Sequence, residues 1–129
     1  MATILVTEAN FEATIQQGIV LLDFWAAWCG PCRAFAPTFE KAAERHPDVV
    51  FGKVDTDAER GLAAAFKIRS IPTLVALRDG VLLASQAGAL PGEALDEIIA
   101  KVRALDMAEV RRSIEEQASR LTPGMKVTT

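Results

Sequence analysis

Apolar positions fall into two spacings along the chain, one matching strands and one matching helices. Residues 19–25, Ile-Val-Leu-Leu-Asp-Phe-Trp, form an apolar run interrupted only by Asp23. A run of that length and density predicts a strand buried on both faces. Residues 3–6, 49–55, 73–78 and 81–86 predict further strands, the last two flanking Asp79-Gly80, a two-residue hairpin signal. Between them the spacing becomes helical. Phe11 and Ile15 share a face, with Thr7 expected as N-cap and Gly18 as terminator. Phe35, Phe39, Ala42 and Ala43 mark a helix over about 30–46, with Pro37 inside it as an expected kink. Thr56 and Glu59 fit a capping box before a short helix carrying Leu62, Ala65 and Phe66. Pro91 fits the first turn of a helix with Leu95, Ile98, Ile99 and Val102 on one face. The order β-α-β-α-β-α-β-β-α predicts an α/β domain. Its central mixed sheet would begin parallel, end in an antiparallel hairpin and carry helices on both faces.

Composition narrows the function classes. At 129 residues the chain fits one domain, able to fold without a disulfide or metal staple. A net charge of −3 and a pI of about 5.2 argue against nucleic acid as a partner. No apolar run approaches the roughly 18 residues that span a bilayer, so no membrane association is expected. The N-terminus lacks a basic region, and Glu8 and Asn10 soon interrupt its apolar stretch. It does not resemble a secretory signal, so a cytoplasmic setting, where thiols stay reduced, is expected.

The two cysteines, Cys29 and Cys32, are three apart. As a staple they would be poorly placed. A ring that small removes only about 2 kcal/mol of chain entropy, against about 3 for a fifteen-residue loop. A structural zinc site needs four ligands, and beyond the pair the chain offers only His46. The pair instead lies between a buried strand and a helix start. Free N–H groups and the helix dipole there stabilise an anion, favouring a Cys29 thiolate, while Cys32 sits a turn further in. One position suits attack on a disulfide and the other suits resolution. Asp23, between Leu22 and Phe24, should be buried with a raised pKa.

The string Asp23-Phe24-Trp25-Ala26-Ala27-Trp28-Cys29-Gly30-Pro31-Cys32 resembles the active-site signature of the thioredoxin family. Lys53 with Asp55, Ile71-Pro72-Thr73, Asp79-Gly80 and Gly88 extend the resemblance over roughly residues 3–105. It implies a thioredoxin-like fold and a protein disulfide reductase. Cys29 would be the nucleophile, Cys32 the resolving thiol, Asp23 the proton acceptor and Lys53 its neighbour. A cis Pro72 with Ile71, Gly88, Ala89, Trp28, Gly30 and Pro31 would form a shallow groove for the substrate backbone. Trp25 is read as mostly packing. Expected partners are protein disulfides and a flavin- and NADPH-dependent thioredoxin reductase, and no bound cofactor is needed. Ser70 and Thr56 stand where relatives often carry small or apolar residues. Gly30-Pro31 resembles the reducing members, whereas oxidising members usually carry a histidine there. A redox-dependent protein-binding module and a dedicated disulfide oxidase or isomerase are the alternatives.

Residues 106–129 form an extension beyond the domain 1–105. Met107, Val110, Ile114, Ala118 and Leu121 fall on one side of a helix expected over 106–121, with Thr122-Pro123-Gly124 as its stop. Packing back onto the domain is the first expectation, with a monomeric chain. A dimer contact, a partner-docking helix and a loose tail are the alternatives.

Overall fold

The computed structural model describes residues 2–121. In chain order it contains β1 (Thr3–Leu5), α1 (Phe11–Ile15), β2 (Ile19–Trp25), α2 (Gly30–Arg45) and β3 (Val50–Asp55). Then come α3 (Arg60–Ala65), β4 (Thr73–Arg78), β5 (Val81–Ala87), α4 (Gly92–Ala104) and α5 (Met107–Leu121). The five strands form one sheet in the order β1-β3-β2-β4-β5. β1, β3 and β2 run parallel, and β4 and β5 are antiparallel additions. The predicted architecture is therefore the observed one.

Strand alternation sorts the core into two layers. Leu21 packs with Phe35 and Phe39 of α2 and with Leu95 and Ile99 of α4. Val20, Leu22 and Phe24 face the other way, toward Ile15 of α1 and Leu62 of α3. Both faces of β2 are thus covered, which explains its continuous apolar run. On α3, Leu62 is buried and Ala65 is exposed. By the same alternation Asp23 shares the face of Leu21, under α2.

Three local expectations are corrected. Thr7 is not an N-cap, because α1 starts four residues later, after Asn10. Thr7 and Asn10 instead bond each other reciprocally: the Thr7 N–H donates to Asn10 Oδ1 at 2.8 Å and the Asn10 N–H to Thr7 Oγ1 at 3.3 Å. The Thr56–Glu59 capping box does not form. Thr56 Oγ1 donates to the Trp25 carbonyl, and the Glu59 carboxylate accepts the Glu8 N–H. Both side chains find tertiary partners that sequence spacing cannot register. Pro91 takes the N-cap position of α4 rather than a place in its first turn. The hairpin at Asp79-Gly80 stands, with φ of 52° and 81° at its two residues, as this tight turn requires. The helix α2 continues through Pro37.

The extension forms a helix, as expected, but it does not lie back along the domain. Met107 is its one buried residue, Val110 is half-buried and the residues beyond are exposed. The expected stop at Thr122-Pro123-Gly124 falls outside the described residues.

Candidate active site

The site assembles where β2 ends and α2 begins. Cys29 is the N-cap of α2, in extended conformation, with Pro31 in the first turn. Its Sγ accepts the Cys32 N–H at 3.2 Å, satisfying a donor that has no helical partner. The two sulfurs are joined as a disulfide, with the Cα atoms 5.2 Å apart. Cys29 is 5% exposed and Cys32 2%, so both are nearly covered in this oxidised form. They differ in what they border. Cys29 lines a groove of about 450 Å³, whereas Cys32 does not.

Trp28, Gly30, Pro31 and Ile71 line the same groove. The Ile71–Pro72 peptide bond is cis. The Ile71 carbonyl oxygen lies 3.7 Å from Cys29 Sγ. Pro72 is buried beside the groove, and its carbonyl accepts the Gly88 N–H at 2.8 Å. Gly88 and Ala89 do not line the groove themselves. Thr56 and Ser70, singled out as departures, do line it, together with Ala63, Ile68 and Arg69. No motif marks these last three, which converge only because α3 and the segment before β4 fold beside Cys29.

Trp28 stands out from the surface at 68% exposure rather than packing in the core. Its Nε1–H donates to Asp57 Oδ2 at 2.9 Å. This contact joins the β2–α2 and β3–α3 loops, so no spacing between residues 28 and 57 announces it.

Asp23 is fully buried, and neither carboxylate oxygen has a hydrogen-bond partner among the described residues. Burial pushes its pKa up to about 6, and the Lys53 charge partly offsets this. The parallel register sets Asp23 directly opposite Lys53. Lys53 is half-buried, with its Nζ 4.7 Å from the centroid of the Trp25 ring. Among the described residues no group of three or more His, Cys, Asp or Glu side chains is placed to hold a metal. Nor is any described helix long and apolar enough to cross a membrane.

A family model described as Thioredoxin matches residues 2–101. The chain belongs to the thioredoxin family. It is a thiol–disulfide oxidoreductase, and Cys29–Cys32 is its redox-active pair. Among its relatives is a Streptomyces coelicolor protein named "Putative thioredoxin 2", 53% identical over 117 residues, which spans 90% of this chain and 87% of that one. A thioredoxin of Bacillus subtilis is 39% identical over 102 residues, spanning 78% of this chain and 98% of its own. Among solved structures, a mutant thioredoxin from Halobacterium salinarum superposes with a TM-score of 0.75 at 31% identity, over 81% of this chain and 95% of that chain. A match over 90% of 129 residues necessarily reaches into α5.

Proposed function

We propose that this thioredoxin-family protein is a general protein disulfide reductase. Cys29 thiolate attacks one sulfur of a substrate disulfide, forms a mixed disulfide and releases the other sulfur as a thiolate. Cys32 then gives its proton to Asp23 and attacks Cys29 Sγ. The second substrate thiolate leaves, so the two electrons once held by the dithiol end on the substrate sulfurs and the protein is left with the oxidised Cys29–Cys32 disulfide. The observation that carries this reading is the Cys29 sulfur capping α2 at the edge of the groove, with Cys32 behind it. Helix-terminal N–H groups favour the thiolate there. A carboxylate with a pKa of about 6 is well matched to accept a proton near neutral pH, and the neighbouring Lys53 steadies its ionised form. Trp28, Gly30, Pro31, Ile71 and Pro72 hold the substrate backbone against Cys29, and Gly88 and Ala89 border them. A flavin- and NADPH-dependent thioredoxin reductase returns the pair to the dithiol, in the cytoplasm.

Reduction of a protein disulfide, coupled to NADPH oxidation through such a reductase, tests the reading. Cys29→Ser should lower the rate more than about a thousandfold, as expected when a nucleophile is removed. Cys32→Ser should accumulate the mixed disulfide with the substrate. Full activity in Cys29→Ser would refute the assignment. The reduction potential separates a reductase from an oxidase, since the two differ by more than about 100 mV.

A further inference from the structure

The helix α5 is rooted at its start and open along the rest. Asp106 Oδ1 accepts the N–H groups of Ala108 and Glu109 at 3.0 and 3.3 Å, capping the first turn. Just before it, Arg78 Nη1 donates to the carbonyls of Val102, Arg103 and Leu105, closing the end of α4. The chain therefore leaves the domain in a set direction. Along a single stripe, exposure then climbs from 8% at Met107 to 46% at Ile114 and 82% at Leu121. Between this stripe and β5 lies a mostly apolar wedge bordered by Leu82, Leu83, Leu105, Val110 and Ile114, with Glu109 and Ser113 on its α5 side. Leu82 is 51% exposed and Leu105 39%. A fifteen-residue helix is marginal in water unless its apolar face is covered.

The charges beside the stripe indicate what covers it. Met107, Val110, Ile114 and Leu121 recur at the three- and four-residue steps of a helix-pairing seam. At 100° per residue, Arg111 and Glu115 flank one side of that seam, and Asp106 and Arg120 flank the other. If a second copy lies antiparallel about a two-fold axis at Ile114, like sides meet. Arg111 then faces the partner's Glu115, and Asp106 faces the partner's Arg120. Each pair is offset by about two residues, roughly 3 Å along the axis. The two-fold repeats both, so four pairs of opposite charge close the seam. A parallel pair would bring unlike sides together, with its opposite charges five residues apart, roughly 7.5 Å along the axis rather than 3 Å. In the antiparallel arrangement the partner's Leu121 arrives opposite Met107, at the closed end of the wedge.

We infer that α5 is a dimerisation helix, which a second copy of this chain covers with its own α5 running antiparallel. Self-complementarity of one surface is the requirement of a two-fold interface. Leu82 pairs with Leu77, at the end of β5 remote from Ala87, which pairs with Thr73 next to Pro72. The interface therefore leaves both Cys29 grooves open.

Sedimentation of the full chain tests this. The expected result is a concentration-dependent rise from 13.9 kDa toward twice that mass. The dissociation constant should be roughly micromolar, as befits a small interface. Ile114→Glu should raise it at least about thirtyfold, the size of losing a central anchor. Arg111→Glu and Glu115→Arg should each weaken the dimer. Mixing these two single variants should restore a heterodimer, because each chain then supplies the charge the other lacks. That rescue is independent of any loss of helix within either chain. A chain that stays monomeric at about 500 µM, with helical ellipticity intact, overturns the proposal and leaves the wedge to a different partner. A dimer indifferent to the single reversals, or one that mixing does not restore, overturns the antiparallel pairing.

Discussion

The two ends of this molecule use helix starts in opposite ways. At the start of α2, a cysteine caps the helix and the reactive groups are covered although Trp28, Gly30 and Pro31 beside them are exposed: Cys29 lies against the Ile71 carbonyl, and Cys32 and Asp23 are buried. At the start of α5, an aspartate caps the helix, and one buried methionine fastens it to the domain. The first helix is held by long-range packing, so its terminus can hold a reactive sulfur in one geometry. The second has local capping and little packing, so its stability depends on what it meets. A capped terminus therefore says where a helix begins, and burial says whether it is anchored.

The sharpest way to break this contrast is to remove packing at each end. Phe39→Ala, on the buried face of α2, should cost about 3–5 kcal/mol of unfolding free energy. A loss below about 1 kcal/mol would mean that α2 is not anchored as described. Next in size is the charge beneath it. The folded pKa of Asp23, about 6, lies above the ordinary value of 3.8. Below that ordinary value the group is protonated in both states and costs nothing. As pH rises from about 4 to about 6 the unfolded chain gives up this proton first, so the folded state loses stability; above that window the loss is complete. Asp23→Asn should therefore be more stable than wild type by about 3 kcal/mol above pH 7, with the gain vanishing below about pH 4. Denaturant unfolding of the oxidised protein at pH 3.5 and pH 8 decides it, and an equal gain at both would rule out ionisation as the cause. The smallest effect belongs to α5. Ile114→Ala, measured in dilute protein where chains are separate, should change stability by under about 0.5 kcal/mol. A larger cost would show that α5 is anchored to its own domain after all.

The fold was legible in particular places. β2 announced its double burial through an apolar run with one carboxylate, because a strand between two helical layers needs apolar side chains on both faces. Asp79-Gly80 announced the hairpin, because few residues accept two successive positive φ angles. The cysteine pair was legible because a helix terminus acts on its own first residues. Thr7, Thr56 and Glu59 misled for the same reason in reverse. Their polar atoms suit local caps equally well, but Thr56 and Glu59 found partners far along the chain, and Thr7 bonds Asn10 ahead of the helix.

Sequence alone determined which chemistry-bearing residues the chain possesses and which secondary element carries each. Those properties follow from period, propensity and the local field of a helix end. Tertiary structure alone decided that Asp57 holds Trp28, that Ala63, Ile68 and Arg69 border the Cys29 groove, and that Lys53 stands opposite Asp23. It also decided that α5 splays from the sheet rather than lying on it. These are contacts between segments far apart in the chain. Their geometry depends on how whole layers pack, which no local pattern of residues encodes.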